Sequence, residues 1–133
     1  MKQIDVAVGV LIDADGRVLL ARRPDHLHQG GKLEFPGGKV EAGEALGAAL
    51  KREFLEEVNV HLTVPDNIKP WLSITHDYGD KQVRLLVVKL ADFHGEPHGN
   101  EGQEVFWLHF DALKAEEFPA ANIEIIERLR TAS

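Results

Sequence analysis

Three glutamates close together dominate the chemistry this sequence can do. Glu53, Glu56 and Glu57 stand at i, i+3 and i+4. Residues 45–58 are mostly Ala, Leu, Glu, Lys and Arg with a single Gly, a composition that favours a helix. On a helix that spacing puts all three carboxylates on one face. Like charges so placed repel by roughly 0.2–0.5 kcal/mol per exposed pair. They also crowd the helix's C-terminal half, where its dipole disfavours anions. A plain solvated acidic face is one reading. The other is a site for a hard divalent cation, which takes oxygen ligands and offsets the repulsion directly. Just upstream, Phe35-Pro36-Gly37-Gly38 forms a tight turn whose backbone can approach an ion or phosphate closely. Glu44 lies eight residues before Arg52 and can pair with it across the helix start.

The set Gly38, Glu44, Arg52, Glu53, Phe54, Glu56, Glu57, Asn59 and Val60 resembles the signature of the Nudix family, a loop–helix–loop that binds magnesium and cleaves nucleoside diphosphate derivatives. Asn59 stands where that family usually has Gly. The position follows the helix end, where a left-handed residue is wanted, and Asn is the next choice after Gly. Phe54 fills a slot that more often holds an aliphatic side chain.

The resemblance continues along nearly the whole chain and is closest to the 8-oxo-dGTP-hydrolysing branch of the family. It rests on Val6-Ala7-Val8-Gly9, Arg22-Arg23, His28, Lys32 to Lys39, Gly95-Glu96-Pro97, Gly99, Glu101-Gly102-Gln103 and Phe118 to Asn122. It implies Mg²⁺, with Mn²⁺ able to substitute, held by Glu53, Glu56, Glu57, Glu101 and a carbonyl of Gly37 or Gly38. It implies nucleotide contacts from Arg23, His28, Phe35 and Asn122, with Glu34, Pro36 and Gly37 in the same stretch. Tyr78 and Lys81, in a divergent loop, are candidates for base and phosphate. The implied reaction is water attack at the β-phosphorus, releasing a nucleoside monophosphate and pyrophosphate. Glu53 is the expected base, with Glu44 the alternative, although Glu44 is the natural partner of Arg52.

Several of these residues also have plain structural readings. Arg22 and Arg23 can be solvated arginines, His28 a loop histidine and Phe35 a core residue. Asn122 precedes an expected helix and is a good N-cap. Equally, an amide carries both a donor and an acceptor. Oxidised guanine presents a donor at N7 beside the O6 acceptor, an edge such an amide would match. Rival functions are a Nudix hydrolase acting on dCTP-like nucleotides, ADP-ribose or dinucleoside polyphosphates, and a nucleotide-sensing module without catalysis.

The elements that must position these groups read as follows. Ile4 to Val10 alternate as a strand, Asp13-Ala14-Asp15-Gly16 turns, and Arg17 to Ala21 return as a second strand. Leu33-Glu34-Phe35 is briefly extended before Pro36. Val60 to Val64, Ile68 to His76, Gln82 to Leu90 and Val105 to Phe110 are further strands. The unbroken apolar run Leu85 to Val88 points to a strand covered on both faces. His94 to Gln103 is a loop. Asp111 to Glu117 is helical in composition, and Ile123 to Arg130 is a helix with Ile123, Ile126 and Leu129 on one side. Strands interleaved with two helical regions predict an α+β class, an α/β/α sandwich with a mixed sheet between helices.

At 133 residues the chain is expected to form one domain over 1–133. A formal charge of −7 argues against direct nucleic-acid binding through phosphates. It permits a small-molecule nucleotide whose charge is compensated by metal. There is no Cys, which excludes disulfide and thiol chemistry. No apolar run approaches 18 residues, so no membrane role and a cytoplasmic location are expected, as a monomer or weak dimer.

Overall fold

The computed structural model describes residues 2–27 and 29–131. Nine strands and two α-helices are present among them: β1 (Lys2–Leu11), β2 (Arg17–Arg22), β3 (Leu33–Glu34), β4 (Gly37–Lys39), α1 (Leu46–Val58), β5 (His61–Leu62), β6 (Leu72–Asp77), β7 (Lys81–Leu90), β8 (Phe93–His94), β9 (Glu104–His109) and α2 (Ile123–Thr131). The central sheet has the order β4-β1-β7-β6 and is mixed, because β1 runs parallel to β7 while β4 and β6 are antiparallel to their neighbours. A second sheet, β3-β2-β9, is antiparallel, and β5 pairs with β8 alone. The fold is the expected α+β sandwich. No helix of the described residues is long and apolar enough to cross a membrane.

Strand alternation explains the three layers. Val8, Val10, Leu85 and Val87 enter one core with α2, while Ala7, Leu11, Val88 and Leu90 enter the other with α1. Both faces of the parallel pair are therefore buried, as the apolar run in β7 predicts. The α1 side is closed by Leu50, Phe54 and Val58 at four-residue spacing. Phe54 lies directly over Gly9, where a Cβ would stand 2.4 Å from its ring. The bare glycine makes room for the aromatic bulk.

Several expected boundaries shift. β1 and β2 do not form a full hairpin: after one bridge, Ile12 to Val18, they part into different sheets. The strand expected from Ile68 begins only at Leu72, after a turn closed by Ile68 N–H to Pro65 C=O and after Pro70, which has no N–H. His94 leaves the expected loop to pair with His61. The helical stretch Asp111 to Glu117 becomes two 3-10 turns, Phe110–Ala112 and Ala115–Glu117. Leu113 and Phe118 are both buried, yet five residues on an α-helix rotate about 140°, so one regular helix could not turn both inward. In α2 the buried residues are Ile125, Ile126 and Leu129, with Ile123 at the margin.

Candidate active site

Helix α1 turns its apolar stripe to the sheet, which leaves Arg52, Glu53, Glu56 and Glu57 along the other edge. The helix ends where Asn59 adopts φ 61° and ψ 32°, the left-handed conformation expected of it. Gly37 and Gly38 sit on the edge strand β4, paired with Val8 and Ala7. This brings the glycine turn against the acidic edge. The Glu53 carboxylate lies over the Gly38 Cα so closely that a Cβ there would meet its carboxyl carbon at 2.3 Å. Any side chain at position 38 would displace Glu53.

Arg52 braces the helix start. Its Nε and Nη2 donate to the two oxygens of Glu44, each at 2.8 Å, Nη1 donates to Glu53 Oε1 at 2.7 Å, and Nη2 also reaches the Lys39 carbonyl at 2.9 Å. The Glu44 carboxylate further accepts the Glu41 N–H at 2.9 Å. The Arg52 guanidinium, helped by that amide, holds the Glu44 carboxyl down at about 2. Glu44 is thus a permanently ionised partner of Arg52, and Arg52 fixes one oxygen of Glu53.

The remaining carboxylates converge on a cavity of about 480 Å³ lined by Glu34, Glu53, Glu56, Glu57 and Glu101, with Arg23, Phe35 and Gly37. Side-chain exposure separates them: Glu56 at 62 % stands on the rim, Glu53 at 14 % lies deep. Burial pushes the Glu57 carboxyl up to about 9, and the adjacent Glu53, then Glu34 and Glu101, push in the same direction. Burial also raises Glu34, although Arg23, 3.3 Å away, opposes it. Among the described residues no three of these groups already form a closed metal cage. The donor set nonetheless suits a hard cation: all oxygen, strongly anionic, and including a carboxyl that burial and its anionic neighbours keep protonated.

Glu101 comes from the loop between β8 and β9, which docks on the end of α1. Asn100 Nδ2 donates to the carbonyls of Leu55 (3.1 Å) and Glu56 (2.9 Å), Asn100 N–H to that of Glu57 (3.0 Å), and His98 N–H to that of Val58 (2.9 Å). These satisfy carbonyls a helix end leaves open. The loop after β2 also lines the cavity, with Arg23, Pro24, His26 and Leu27. Sequence reasoning missed His26, Leu27 and Gln103, which also line the cavity. An apolar Leu27 within a His-, Gly- and Pro-rich loop was the available signal.

Other expected site residues lie elsewhere. Pro36 is buried and its carbonyl accepts the Gly9 N–H at 2.9 Å. Tyr78 and Lys81 form the tip of the β6–β7 hairpin, with the ammonium 5.8 Å from the ring centroid, and do not line the cavity. Asn122 is also outside its lining, in the 3-10 turn Ala120–Asn122. That turn follows Phe118, whose ring stacks on Phe35 at 5.3 Å. Among the described residues the Asn122 side chain makes no capping hydrogen bond to α2. His28 lies outside the described residues.

Comparison with known proteins agrees with this geometry. The NUDIX domain model matches residues 7–128. The 8-oxo-dGTP diphosphatase of Escherichia coli is 34% identical over 130 residues, covering 98% of this chain and 98% of its own length. That of Haemophilus influenzae is 39% identical over 128 residues, 96% of this chain and 92% of its own. The CTP pyrophosphohydrolase of E. coli is 35% identical over 127 residues, 96% of this chain and 91% of its own. A solved MutT from a study of the Aliivibrio salmonicida and Vibrio cholerae proteins superposes with a TM-score of 0.78 at 32% identity, over 99% of this chain and 100% of that one. With the signature glutamates Glu53, Glu56 and Glu57 on one acidic cavity and the domain model spanning almost the full length, the chain belongs to the Nudix family of hydrolases.

Proposed function

We propose that this enzyme hydrolyses 8-oxo-dGTP to 8-oxo-dGMP and pyrophosphate, using Mg²⁺ or Mn²⁺, and so removes a mutagenic precursor from the cytoplasmic nucleotide pool before DNA replication. The observation that carries the reading is the convergence of Glu53, Glu56 and Glu57 from α1 with Glu101 from a distant loop on one cavity. A carbonyl of Gly37 or Gly38 completes the donor set. When bound there, divalent cations neutralise the charge of the polyphosphate.

The protein's own groups supply the rest. Arg52 holds Glu53 through Oε1, and the Glu53 carboxylate takes a proton from water. Glu44, engaged on both oxygens, keeps Arg52 in place and is a poor base. Arg23 offers positive charge on the cavity wall, and Phe35 with Leu27 offers apolar surface to the nucleoside. Hydrolysis in ¹⁸O-labelled water tests the reaction. Attack at the β-phosphorus puts the label in pyrophosphate; label in the monophosphate, or release of inorganic phosphate, would refute it.

Asn122 is the proposed reader of the oxidised base. Losing hydrogen bonds to a base edge costs roughly 1–3 kcal/mol, so Asn122→Ala should lower kcat/KM for 8-oxo-dGTP about 5- to 150-fold, with little change for dGTP. An equal effect on both nucleotides, together with a stability loss of about 1 kcal/mol, would instead assign Asn122 to the α2 terminus. A second reading, a cytidine nucleotide as substrate, is favoured by the similarity to the CTP pyrophosphohydrolase. CTP and dCTP therefore belong in the same assay.

A further inference from the structure

Four of the five carboxylates lining the cavity, Glu53, Glu56, Glu57 and Glu101, come from two pieces of chain that repel each other. Glu53, Glu56 and Glu57 are fixed by α1, whereas Glu101 sits on a turn closed by Gly102 N–H to Gly99 C=O at 3.0 Å. Without a restraint, the loop would swing Glu101 away from the helix.

Most of the loop's bonds to α1 come from Asn100 and His98 and do not touch Glu101. Gln103 does both. Its Nε2 donates to the Glu57 carbonyl at 3.0 Å, and its Oε1 accepts the Glu101 N–H at 2.9 Å. One side-chain amide thus ties the backbone of the loop carboxylate to the backbone of the helix carboxylate. Gln103 is partly buried and lines the cavity. An amide of this length makes both contacts where its isosteres cannot: a carboxylate accepts but does not donate, and an apolar side chain does neither.

We propose that Gln103 is a positioning residue for the divalent-cation site, holding Glu101 within the carboxylate set of α1. The inference rests on the reading that these glutamates bind the cation. Groups that orient metal ligands are typically worth 10–100-fold in affinity, and Gln103 bears on one ligand of several, so an effect near the lower end is expected.

The test is Mn²⁺ binding to the nucleotide-free protein, followed by the electron paramagnetic resonance signal of free Mn²⁺. Gln103→Met and Gln103→Leu each remove both bonds at similar volume without adding charge to the cavity. Each should weaken the tightest Mn²⁺ site about tenfold. In a Glu101→Gln background, Gln103→Met should weaken it less than about twofold further, because its route of action is already gone. Additive losses would mark Gln103 as a general stabiliser of the fold and overturn the proposal. So would unchanged affinity in the Gln103 variants when Glu101→Gln binds weakly. If Glu101→Gln itself binds Mn²⁺ normally, the ligand reading fails first and takes this inference with it. Should Gln103→Met not fold, Gln103→Leu carries the same comparison.

Discussion

Glu53→Gln is expected to lower kcat by about 10²–10⁴, the usual contribution of a positioned general base. That corresponds to roughly 3–5 kcal/mol of activation free energy. The substitution preserves shape, and the amide oxygen can still accept from Arg52 Nη1, so the helix and its brace should persist. KM should change little, because Glu53 acts on the attacking water and holds the polyphosphate only as one member of a larger set. Glu44→Gln makes the informative contrast. Its carboxylate is consumed by Arg52 and the Glu41 amide, so its loss should loosen Arg52 and reduce kcat less than the loss of Glu53. Steady-state kinetics of both variants at saturating Mg²⁺ check this. A Glu53→Gln enzyme retaining more than about a tenth of wild-type kcat, a change under 1.4 kcal/mol, would remove Glu53 from the base role.

Metal-free protein should lose stability as pH rises. Glu57 holds its proton up to about 9 in the folded state against an ordinary value of 4.5. The unfolded chain therefore binds fewer protons than the folded one throughout that interval. Stability is fully present below the unfolded value and is lost as pH climbs through the folded one. Each pH unit across that interval is worth about 1.4 kcal/mol when a single proton separates the two states. Part of the effect is shared with Glu53, so the expected loss between about pH 5 and 9 exceeds ~2 kcal/mol. Saturating Mg²⁺ should flatten the slope, since the cation binds the carboxylate and stabilises the native state. Glu57→Gln should flatten it without metal and also cut kcat more than about tenfold, more than 1.4 kcal/mol. Denaturant titrations across this pH range, with and without Mg²⁺, measure the slopes, and steady-state kinetics the loss of turnover. A metal-free stability independent of pH would contradict the buried, mutually repelling cluster.

What was legible in the sequence is what local periodicity encodes. Glu53, Glu56 and Glu57 share a face because of their spacing alone, and Asn59 takes the left-handed conformation because a helix end needs it. The apolar run of β7 announced burial on both faces. The missed features depend on partners far away in the chain. Asn100 and Gln103 look like ordinary loop polar residues until the end of α1 presents open carbonyls to them. β8, at two residues, is too short to carry a period. The stretch 111–117 has helical composition, but burying both Leu113 and Phe118 overrides it. Tyr78, Lys81 and Asn122 enter the site through resemblance alone, and the cavity is lined without them.

The most direct test of the central claim is the ratio of kcat/KM for 8-oxo-dGTP to that for dGTP, measured with Mg²⁺ and a pyrophosphate readout alongside CTP and dCTP. 8-oxo-dGTP should be preferred over dGTP by at least about tenfold, a difference of 1.4 kcal/mol or more, and over both cytidine nucleotides. Equal turnover of the oxidised and normal guanine nucleotides, or a preference for CTP, would contradict it.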